Sequence, residues 1–410
     1  MRCALTSLGP TINHVIYEFR VRGHVGQTVR RAFGDLRAET NGADTLLKGG
    51  VADQAALHGV LARIEALGLE LIEVRRVNPK PSSLEVGMNQ VRLGRSNLRV
   101  SRIAFGAWEL GGDWGATDES AAIATIRQAA DRGINFFDTA QGYGFGASEG
   151  LIARALAGRP RDQLVIATKG GLRPTPGGGV ERDASADWVR RGVDESLKAL
   201  HTDYIDLYQI HWPDPKTPFA ATAGALADLV AAGKIRHVGV SNFNAPQMDE
   251  FSGTLQVETL QPPYHLFRRD IETSVLPYTQ ANDIGVLVYG PLAHGLLSGA
   301  LTAESKFAPG DWRAKSEEFT GEPYRRNLRI VDALARFAEL ELGTTVSRLA
   351  VAWTLANPAV HVAIVGTRNP RHIDDAIAAA DLKLDDQALR RIDQIVSAEV
   401  AVGGPTPESV

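Results

Sequence analysis

From residue 91 onward, short runs of apolar and β-branched residues alternate with longer stretches of helical periodicity. Eight runs predict strands, at 103–105, 135–138, 164–169, 204–211, 237–241, 259–261, 285–289 and 362–365. The clearest helical stretches lie between them, at 119–132, 184–200, 218–232, 327–342 and 346–357. Strands and helices that alternate over about 300 residues form a parallel sheet that closes into a barrel. The sequence therefore predicts an α/β fold, a (β/α)8 TIM barrel, over residues 91–400, followed by a tail at 401–410.

Residues 1–80 follow a different pattern, which predicts a small α+β domain. Segments 14–23 and 69–77 alternate apolar and polar residues as half-buried strands do. Asn41-Gly42 is a turn dipeptide inside a further strand pair at 37–48, and 52–67 has the apolar spacing of a helix. A helix packed on one face of an antiparallel sheet accommodates these elements.

No catalytic set of residues stands out in this first domain, so its role is open between a partner-binding or self-associating module and a simple appendage. Residues 81–90, with Pro81 and two serines, predict a linker. Residues 91–100 predict a hairpin that covers the amino end of the barrel.

Composition restricts the partners. The net charge is −4 without a basic block, which favours neither nucleic acid nor an anionic membrane. The single cysteine, Cys3, excludes an internal disulfide and fits a reducing compartment. No apolar run approaches the ~18 residues that span a bilayer, and residues 1–18 lack the apolar stretch of a signal peptide. We therefore expect a cytoplasmic protein, and no HExxH or paired Cys/His spacing predicts a metal site.

Polar residues or glycines end nearly every predicted strand of the barrel. They are Gly106, Asp138, Lys169, His211, Ser241 with Asn242, Gln261, Tyr289 and Gly366. The carboxyl ends of all eight strands meet at one face of such a barrel, and this face carries the active site. The sequence therefore predicts a site there.

Four residues at this face predict acid–base chemistry on a carbonyl group. A buried Asp138 needs a cation, and Lys169 at the end of the next strand can supply it. Tyr143 lies in the Gly-rich loop that follows Asp138, and a nearby lysine lowers the pKa of a tyrosine towards the working pH. A neutral His211 can orient the carbonyl oxygen. Each residue taken alone also has a purely structural interpretation. Asp138 could cap the following loop, His211 could be a hydrogen-bonded histidine of the core, and Tyr143 could be an ordinary loop residue.

The motifs FFDTAQGYG, ATKGG, DLYQIHWPD, GKIRHVGVSNFN, YGPLAHGLLSG and VGTRNPRHIDDAI resemble the signatures of the aldo-keto reductase family, in the family's order. The resemblance covers roughly residues 91–400. It implies that Tyr143 is the general acid of a tetrad with Asp138, Lys169 and His211. It also implies reduction of a small-molecule aldehyde or ketone by hydride transfer from NADPH, which this family binds without a Rossmann fold.

The resemblance also implies a set of cofactor-binding residues. Gly106, which follows the first predicted strand of the barrel, belongs to this set. The nicotinamide carboxamide and ring are assigned to Ser241, Asn242, Gln261 and Tyr289. The pyrophosphate path is assigned to Gly290, Pro291, Leu292, Gly295, Leu297, Ser298 and Gly299. The adenosine end is assigned to Gly366, Thr367, Arg368, His372 and Asp375, with Arg368 on the 2′-phosphate.

Two departures from the family pattern concern this adenosine end. The family often has Gln or Arg where His372 stands, and Glu-Asn where Asp375 and Ala376 stand. The expected substrate pocket includes Trp108, Trp212 and the 300–325 segment, which favours an apolar or aromatic carbonyl. Residues 290–324, rich in Gly, Pro and charge, are a candidate lid.

Two other functions remain open at this point. The chain could be a regulatory subunit that senses the nicotinamide redox state, since some members of the family act in this way and the first domain could hold a partner. It could also be a TIM-barrel isomerase or aldolase in which Lys169 forms a Schiff base. The second alternative gives no role to Tyr143 and the SNFN segment together.

Overall fold

The computed structural model describes residues 15–23, 25, 33, 36–41, 44–51, 54–77, 90–112, 114, 118–177, 179–308, 311–397 and 401–406. The chain divides into two compact units, Met1–Val86 and Gly87–Val410. Cys3, Gly42 of the predicted turn, and residues 81–89 of the predicted linker lie outside the described residues. No helix in the described part of the chain combines the length and apolar character needed to cross a membrane.

The first unit is an antiparallel sheet with a helix. Its elements are β1 (Val15–Val21), β2 (Arg37–Asn41), β3 (Asp44–Val51), α1 (Gln54–Ala66) and β4 (Leu71–Val77). The strand order is β2-β3-β1-β4. Its core contains Phe19, Val21 and Leu47 from the sheet and Ile64 from the helix, all buried. The predicted helix on an antiparallel sheet is confirmed.

The second unit is a closed barrel of eight parallel strands, as predicted. In barrel order the strands are β7 (Ile103–Gly106), β8 (Phe136–Asp138), β9 (Val165–Gly170), β12 (Ile205–Ile210), β13 (Ile235–Ser241), β14 (Thr259–Gln261), β15 (Gly285–Tyr289) and β16 (Val362–Gly366). Two hairpins accompany them, β5 (Gln90–Arg92) with β6 (Arg99–Ser101) and β10 (Leu172–Pro174) with β11 (Val180–Arg182).

Helices follow most of the barrel strands. They are α2 (Glu119–Asp131), α3 (Ala147–Leu156), α4 (Ala186–Ala199), α5 (Phe219–Ala231), α6 (Ala245–Ser252), α7 (Val275–Ala281), α8 (Gly321–Leu342), α9 (Val346–Ala356), α10 (Arg371–Asp381) and α11 (Asp386–Val396). Helix α8 begins six residues before the predicted start at 327 because Pro323 is tolerated in the first turn, where its missing N–H has no intrahelical partner.

The β5–β6 hairpin closes the amino end of the barrel. Leu93 and Val100 are fully buried and belong to the same apolar cluster as Ala104 and Leu287 of the barrel strands. Gly94 between them has φ of +52°, and a Cβ there would lie within 2.1 Å of the backbone nitrogen of Gly285. Only glycine allows this approach. The barrel is therefore packed shut at this end, so a ligand reaches it from the carboxyl ends of the strands.

Candidate active site

The polar residues of the strand ends surround one cavity of about 520 Å³. Its wall includes Gly106, Asp138, Tyr143, His211, Ser241, Asn242, Gln261, Tyr289 and Gly366. Lys169 lies beneath this wall, fully buried in β9. The barrel thus brings together residues that are up to 260 positions apart (366 − 106) in the sequence.

A buried ion pair lies at the floor of the cavity. The Lys169 ammonium donates to Oδ1 of Asp138 at 2.6 Å and to the carbonyl oxygen of Thr139 at 2.9 Å. Gln261 donates from Nε2 to the second carboxylate oxygen of Asp138 at 2.8 Å. Burial lowers the pKa of Lys169, while the negative charge of Asp138 acts in the opposite direction. Asp138 therefore supports the charged form of Lys169 where water cannot.

Tyr143 stands over this ion pair. Lys169 Nζ donates to the Tyr143 phenol oxygen at 3.2 Å, so one ammonium links the phenol to Asp138. The Tyr143 ring meets the His211 imidazole edge-on at 5.5 Å between centroids. Gly144 makes the tight loop possible, since its φ is +70° and a Cβ would lie 2.7 Å from the carbonyl oxygen of Gly111.

His211 directly follows β12 and is held neutral. Burial lowers its pKa well below 6.5, and the nearby positive charge of Lys169 lowers it further. Its Nδ1 has no hydrogen-bond partner among the described residues. An unpaired buried nitrogen costs free energy, while the His211 side chain as a whole lines the cavity. A neutral imidazole next to a phenol can hold a carbonyl oxygen without charging it.

The polar residues on the neighbouring strands hold one another in place. Ser241 donates from its hydroxyl to the carbonyl of Gln261 at 2.7 Å, and Asn242 donates from Nδ2 to the carbonyl of His211 at 3.0 Å. Tyr289 donates from its hydroxyl to Oδ1 of Asn242 at 2.9 Å. These bonds orient amide and hydroxyl groups around the cavity and leave the Tyr289 ring on its wall.

Most of the other predicted cofactor residues also line this cavity. They are Pro291, Leu292, Gly290, Gly295, Ser298, Thr367, Arg368 and His372, together with Trp108 and Trp212 of the predicted substrate pocket.

Three predicted cofactor residues do not line the cavity. Leu297 is buried in the apolar core, because its side chain packs among other hydrophobic residues. Gly299 lies against helix α9, where a Cβ would be 2.8 Å from Val346. Asp375 forms an ion pair with Arg348 at 2.5 Å, which occupies its carboxylate.

The far end of the cavity lies at the amino end of α10. Thr367, Arg368 and His372 come from the turn and first residues of this helix, where backbone N–H groups and the helix dipole favour anions. Together with the amide groups near Asp138, these residues fit an extended dinucleotide, with a polar ring amide at one end and phosphate at the other. Glu109 was not predicted; it lines the cavity beside Gly366, and burial raises its pKa.

Part of the aromatic wall of the cavity was also missed in the sequence. Trp108 packs edge-on against Trp114 at 5.1 Å, and both line the cavity with His294. Trp312 packs behind them, 6.0 Å from Trp114 and 5.0 Å from His294. An antiparallel bridge between Trp114 and Asp311 joins the β7–α2 loop to the predicted lid segment. Periodicity gives no signal for contacts between two loops, so the sequence did not predict them.

The chain end forms another part of the wall. The Val402 amide donates to the carbonyl of Phe267 at 3.1 Å, and the Gly404 amide donates to the Glu318 carboxylate at 3.2 Å. Pro405 and Thr406 line the cavity. The segment 401–406, predicted only as a tail, is therefore part of the site.

A family model described as the aldo/keto reductase family matches residues 102–397. The chain belongs to this family. A second model, a domain of unknown function (DUF8691), matches residues 16–75. The reductase motifs predicted from the sequence are thus confirmed, and the first unit has a counterpart whose function is not assigned.

The individual proteins to which this chain is similar carry the names of reductases and a dehydrogenase. The aldo-keto reductase YhdN of Bacillus subtilis (strain 168) is 42% identical over 290 residues, which cover 70% of this chain and 87% of the relative. The NADH-specific methylglyoxal reductase of Escherichia coli (strain K12) is 34% identical and covers 73% of this chain and 95% of its own length. The glycerol dehydrogenase AKR11B4 structure from Gluconobacter oxydans has 36% identity and a TM-score of 0.71, covering 78% of this chain and 99% of its own.

This family membership makes the chain an oxidoreductase that uses a nicotinamide cofactor on small-molecule substrates. The choice between NADPH and NADH differs within the family, since one relative is NADH-specific by name.

Proposed function

We propose that this enzyme reduces aldehydes and ketones to alcohols with NADPH, and that Tyr143 is the general acid. One observation carries the proposal: the Lys169 ammonium contacts both Asp138 and the Tyr143 phenol oxygen in the cavity wall, beside a neutral His211. A reduced nicotinamide held by the amide and hydroxyl side chains of the cavity wall would supply the hydride for the carbonyl carbon. Tyr143 then gives its proton to the carbonyl oxygen, which becomes the alcohol oxygen.

Each of the other three residues supports this proton transfer. The Lys169 ammonium stabilises the phenolate that remains on Tyr143 after the transfer. Asp138 holds Lys169 in position at 2.6 Å. His211 binds the carbonyl oxygen as a neutral group, so it does not compete as an acid. Proton transfer from a positioned acid contributes about 10²–10⁴-fold to the rate of such reactions.

NADPH is proposed over NADH because Arg368 lines the cavity at the amino end of α10. A guanidinium pairs well with a phosphate dianion, and the helix end adds N–H groups and a favourable dipole. The aromatic wall of Trp108, Trp114 and Trp212 favours an apolar or aromatic carbonyl as substrate.

The first test follows NADPH oxidation with a panel of aromatic aldehydes, diones and quinones, for the parent and for Tyr143→Phe. We expect the variant to lose about 10²–10⁴-fold in kcat while its Kd for NADPH, measured by fluorescence, is unchanged. Tyr278→Phe is the matched control, since Tyr278 lies on α7 outside the cavity lining and its hydroxyl donates to Asp249. A Tyr143→Phe enzyme with the parent's rate would refute the role of the tyrosine.

The second test measures Kd for NADPH and NADH. Arg368→Ala should raise the Kd for NADPH by about 10–100-fold, which corresponds to the loss of one charge-assisted hydrogen bond, and should leave the Kd for NADH unchanged. Arg371→Ala, at the exposed first residue of α10, is the control. Equal affinity of the parent for both cofactors would refute the assignment. Tight NADPH binding without turnover of any substrate would favour the redox-sensing function.

A further inference from the structure

Strand β4 forms one edge of the amino-terminal sheet, and its outer side pairs with no strand in the described ranges. Seven large hydrophobic residues are exposed in the described part of the chain, and four of them, Leu67, Leu71, Ile72 and Val74, lie within this strand or just before it. Each is between 38% and 41% exposed. An edge strand with free backbone groups and apolar side chains pairs readily with another strand.

The charges on the sheet indicate what kind of strand fits beside β4. Register places Glu18 of β1 opposite Lys48 of β3 on one side and opposite Arg75 of β4 on the other. Lys48 and Glu18 form an ion pair at 2.9 Å. The charge therefore alternates in sign along the row of residues Lys48, Glu18 and Arg75, which crosses the sheet from β3 to β4. The row ends in a positive residue at the unpaired edge of the sheet. A strand added next to β4 is favoured if it brings a carboxylate opposite Arg75.

The sequence of β4, LIEVRRV, meets this requirement itself. If two copies of β4 run antiparallel with Val74 opposite Val74, position 73 of each lies opposite position 75 of the other. Positions 73 and 75, glutamate and arginine, then lie opposite each other twice, by symmetry. Centring the pair on Glu73 or on Arg75 instead puts two like charges opposite each other, which is unfavourable. Charge thus selects the register centred on Val74.

The row of alternating charge continues through this junction. Arg20 lies opposite Glu73 within each sheet. Across two copies the order becomes Lys48, Glu18, Arg75, then Glu73 and Arg20 of the second copy, with the sign changing at every step. Val74 lies opposite Phe19, on the face that carries the apolar core, so the central pair of valines extends that face across the junction.

We propose that the amino-terminal unit is a dimerisation module, in which β4 pairs antiparallel with β4 of a second copy of this chain. The pairing joins four strands from each copy into one sheet and buries the apolar edge. It uses the same surface on both copies, so the assembly closes as a two-fold dimer and does not grow further. The proposal concerns assembly only and does not depend on the reductase chemistry.

A direct test uses a disulfide at the proposed two-fold axis, in the full chain. Directly opposite residues of an antiparallel pair have Cα atoms about 4.5–5.5 Å apart, which suits a disulfide. Val74→Cys in a Cys3→Ser background should form a covalent dimer under mild oxidation, detected on a non-reducing gel. Leu340→Cys, at the most exposed large hydrophobic residue among the described residues of the barrel unit, is the matched control and should not form one. No cross-link at position 74 would overturn the proposal.

A second test uses the charges. Light scattering should give the parent a mass of twice 44.1 kDa. Glu73→Arg puts arginine opposite arginine and Arg75→Glu puts glutamate opposite glutamate, so each variant alone should dissociate at least about tenfold more readily. An equimolar mixture of the two restores opposite charges at both positions and should form the heterodimer. A monomeric parent overturns the proposal, and a mixture that stays monomeric overturns the pairing register.

The mixture also separates assembly from folding. Each variant carries the same internal changes alone and in the mixture, so recovery of the dimer on mixing can only come from the junction. NADPH oxidation by each variant checks independently that the barrel is intact, since neither position lies in the barrel unit.

Discussion

Protonation of His294 should weaken the barrel below neutral pH by an amount that the structure allows us to estimate. His294 is only 7% exposed and packs against Trp312 at 5.0 Å and His265 at 6.2 Å. Burial lowers its pKa from 6.5 to about 3, and the charges of Arg268 and Arg313 contribute in the same direction. The folded protein therefore keeps this ring neutral at a pH where the unfolded chain takes up a proton.

The sign of the effect follows from which state binds the proton. The unfolded histidine binds it near pH 6.5 and the folded one near pH 3, so acidification stabilises the unfolded chain. The contribution of His294 to stability is complete above pH 6.5 and is lost as the pH falls towards 3. At pH 5, which is about 1.5 pH units below the pKa of the unfolded ring, protonation stabilises the unfolded chain. Each unit contributes about 1.4 kcal/mol, so the total is about 2 kcal/mol.

The assay is urea unfolding at pH 7 and pH 5, followed by tryptophan fluorescence. All six tryptophans lie in the barrel unit, so the signal reports that unit alone. The matched variant is His294→Asn, because His294 has φ of +55° and asparagine tolerates this conformation. Between the two pH values the parent should lose about 2 kcal/mol more of unfolding free energy than the variant. His211 titrates in both proteins and cancels, and the variant also removes the smaller effect of His294 on the pKa of His265.

Equal losses in the two proteins would contradict a neutral, buried His294, since they would show that its ring is protonated or solvated in the folded barrel. A loss of stability in the variant that is the same at both pH values would not contradict it. Such a loss reflects packing, and it is removed when the unfolding free energies at pH 7 and pH 5 are subtracted.

Three further outcomes are expected. Lys169→Met should lower kcat by about 10²-fold or more without weakening the binding of NADPH, because it removes the cation beside the Tyr143 phenol. Steady-state rates measure the turnover and fluorescence titration measures the binding. Glu109→Gln should tighten NADPH, most at high pH, where the carboxyl with the raised pKa is ionised and repels phosphate; a pH series of Kd values checks this. Gly170→Ala should destabilise the barrel by about 1–3 kcal/mol, measured as a lower Tm, since its Cβ would lie 1.8 Å from the Tyr208 hydroxyl.

Sequence periodicity was sufficient for the barrel because each strand and helix carries its own local pattern. The runs that end in Asp138, Lys169 and Gln261 are apolar up to a polar last residue, and in a parallel barrel such ends can only meet at one face. Asp138, Lys169 and His211 were therefore predicted from strand ends alone, whereas the role of Tyr143, in the loop after Asp138, came from the resemblance to the family. The antiparallel sheet of the first unit was found in the same way, from alternation and one turn dipeptide.

Other parts of the site depend on contacts that no local pattern encodes. The bridge of Trp114 to Asp311 joins two loops nearly 200 residues apart (311 − 114), and the Glu318 carboxylate holds the backbone of Gly404. Two predicted cofactor residues also lie away from the cavity lining: Asp375 pairs with Arg348, and Leu297 packs into the core. Whether a residue in a loop faces a cavity depends on its backbone dihedrals and on its neighbours in space.

Which elements form, and which chemistry gathers at the strand ends, follow from the amino-acid sequence, because hydrophobic period, strand propensity and residue type are local properties. The shape of the cavity, the neutral state of His211 and His294, and the inclusion of residues 401–406 in its wall follow from the folded chain. These properties arise from burial and from close approach of distant segments, and burial is set by the closed barrel as a whole.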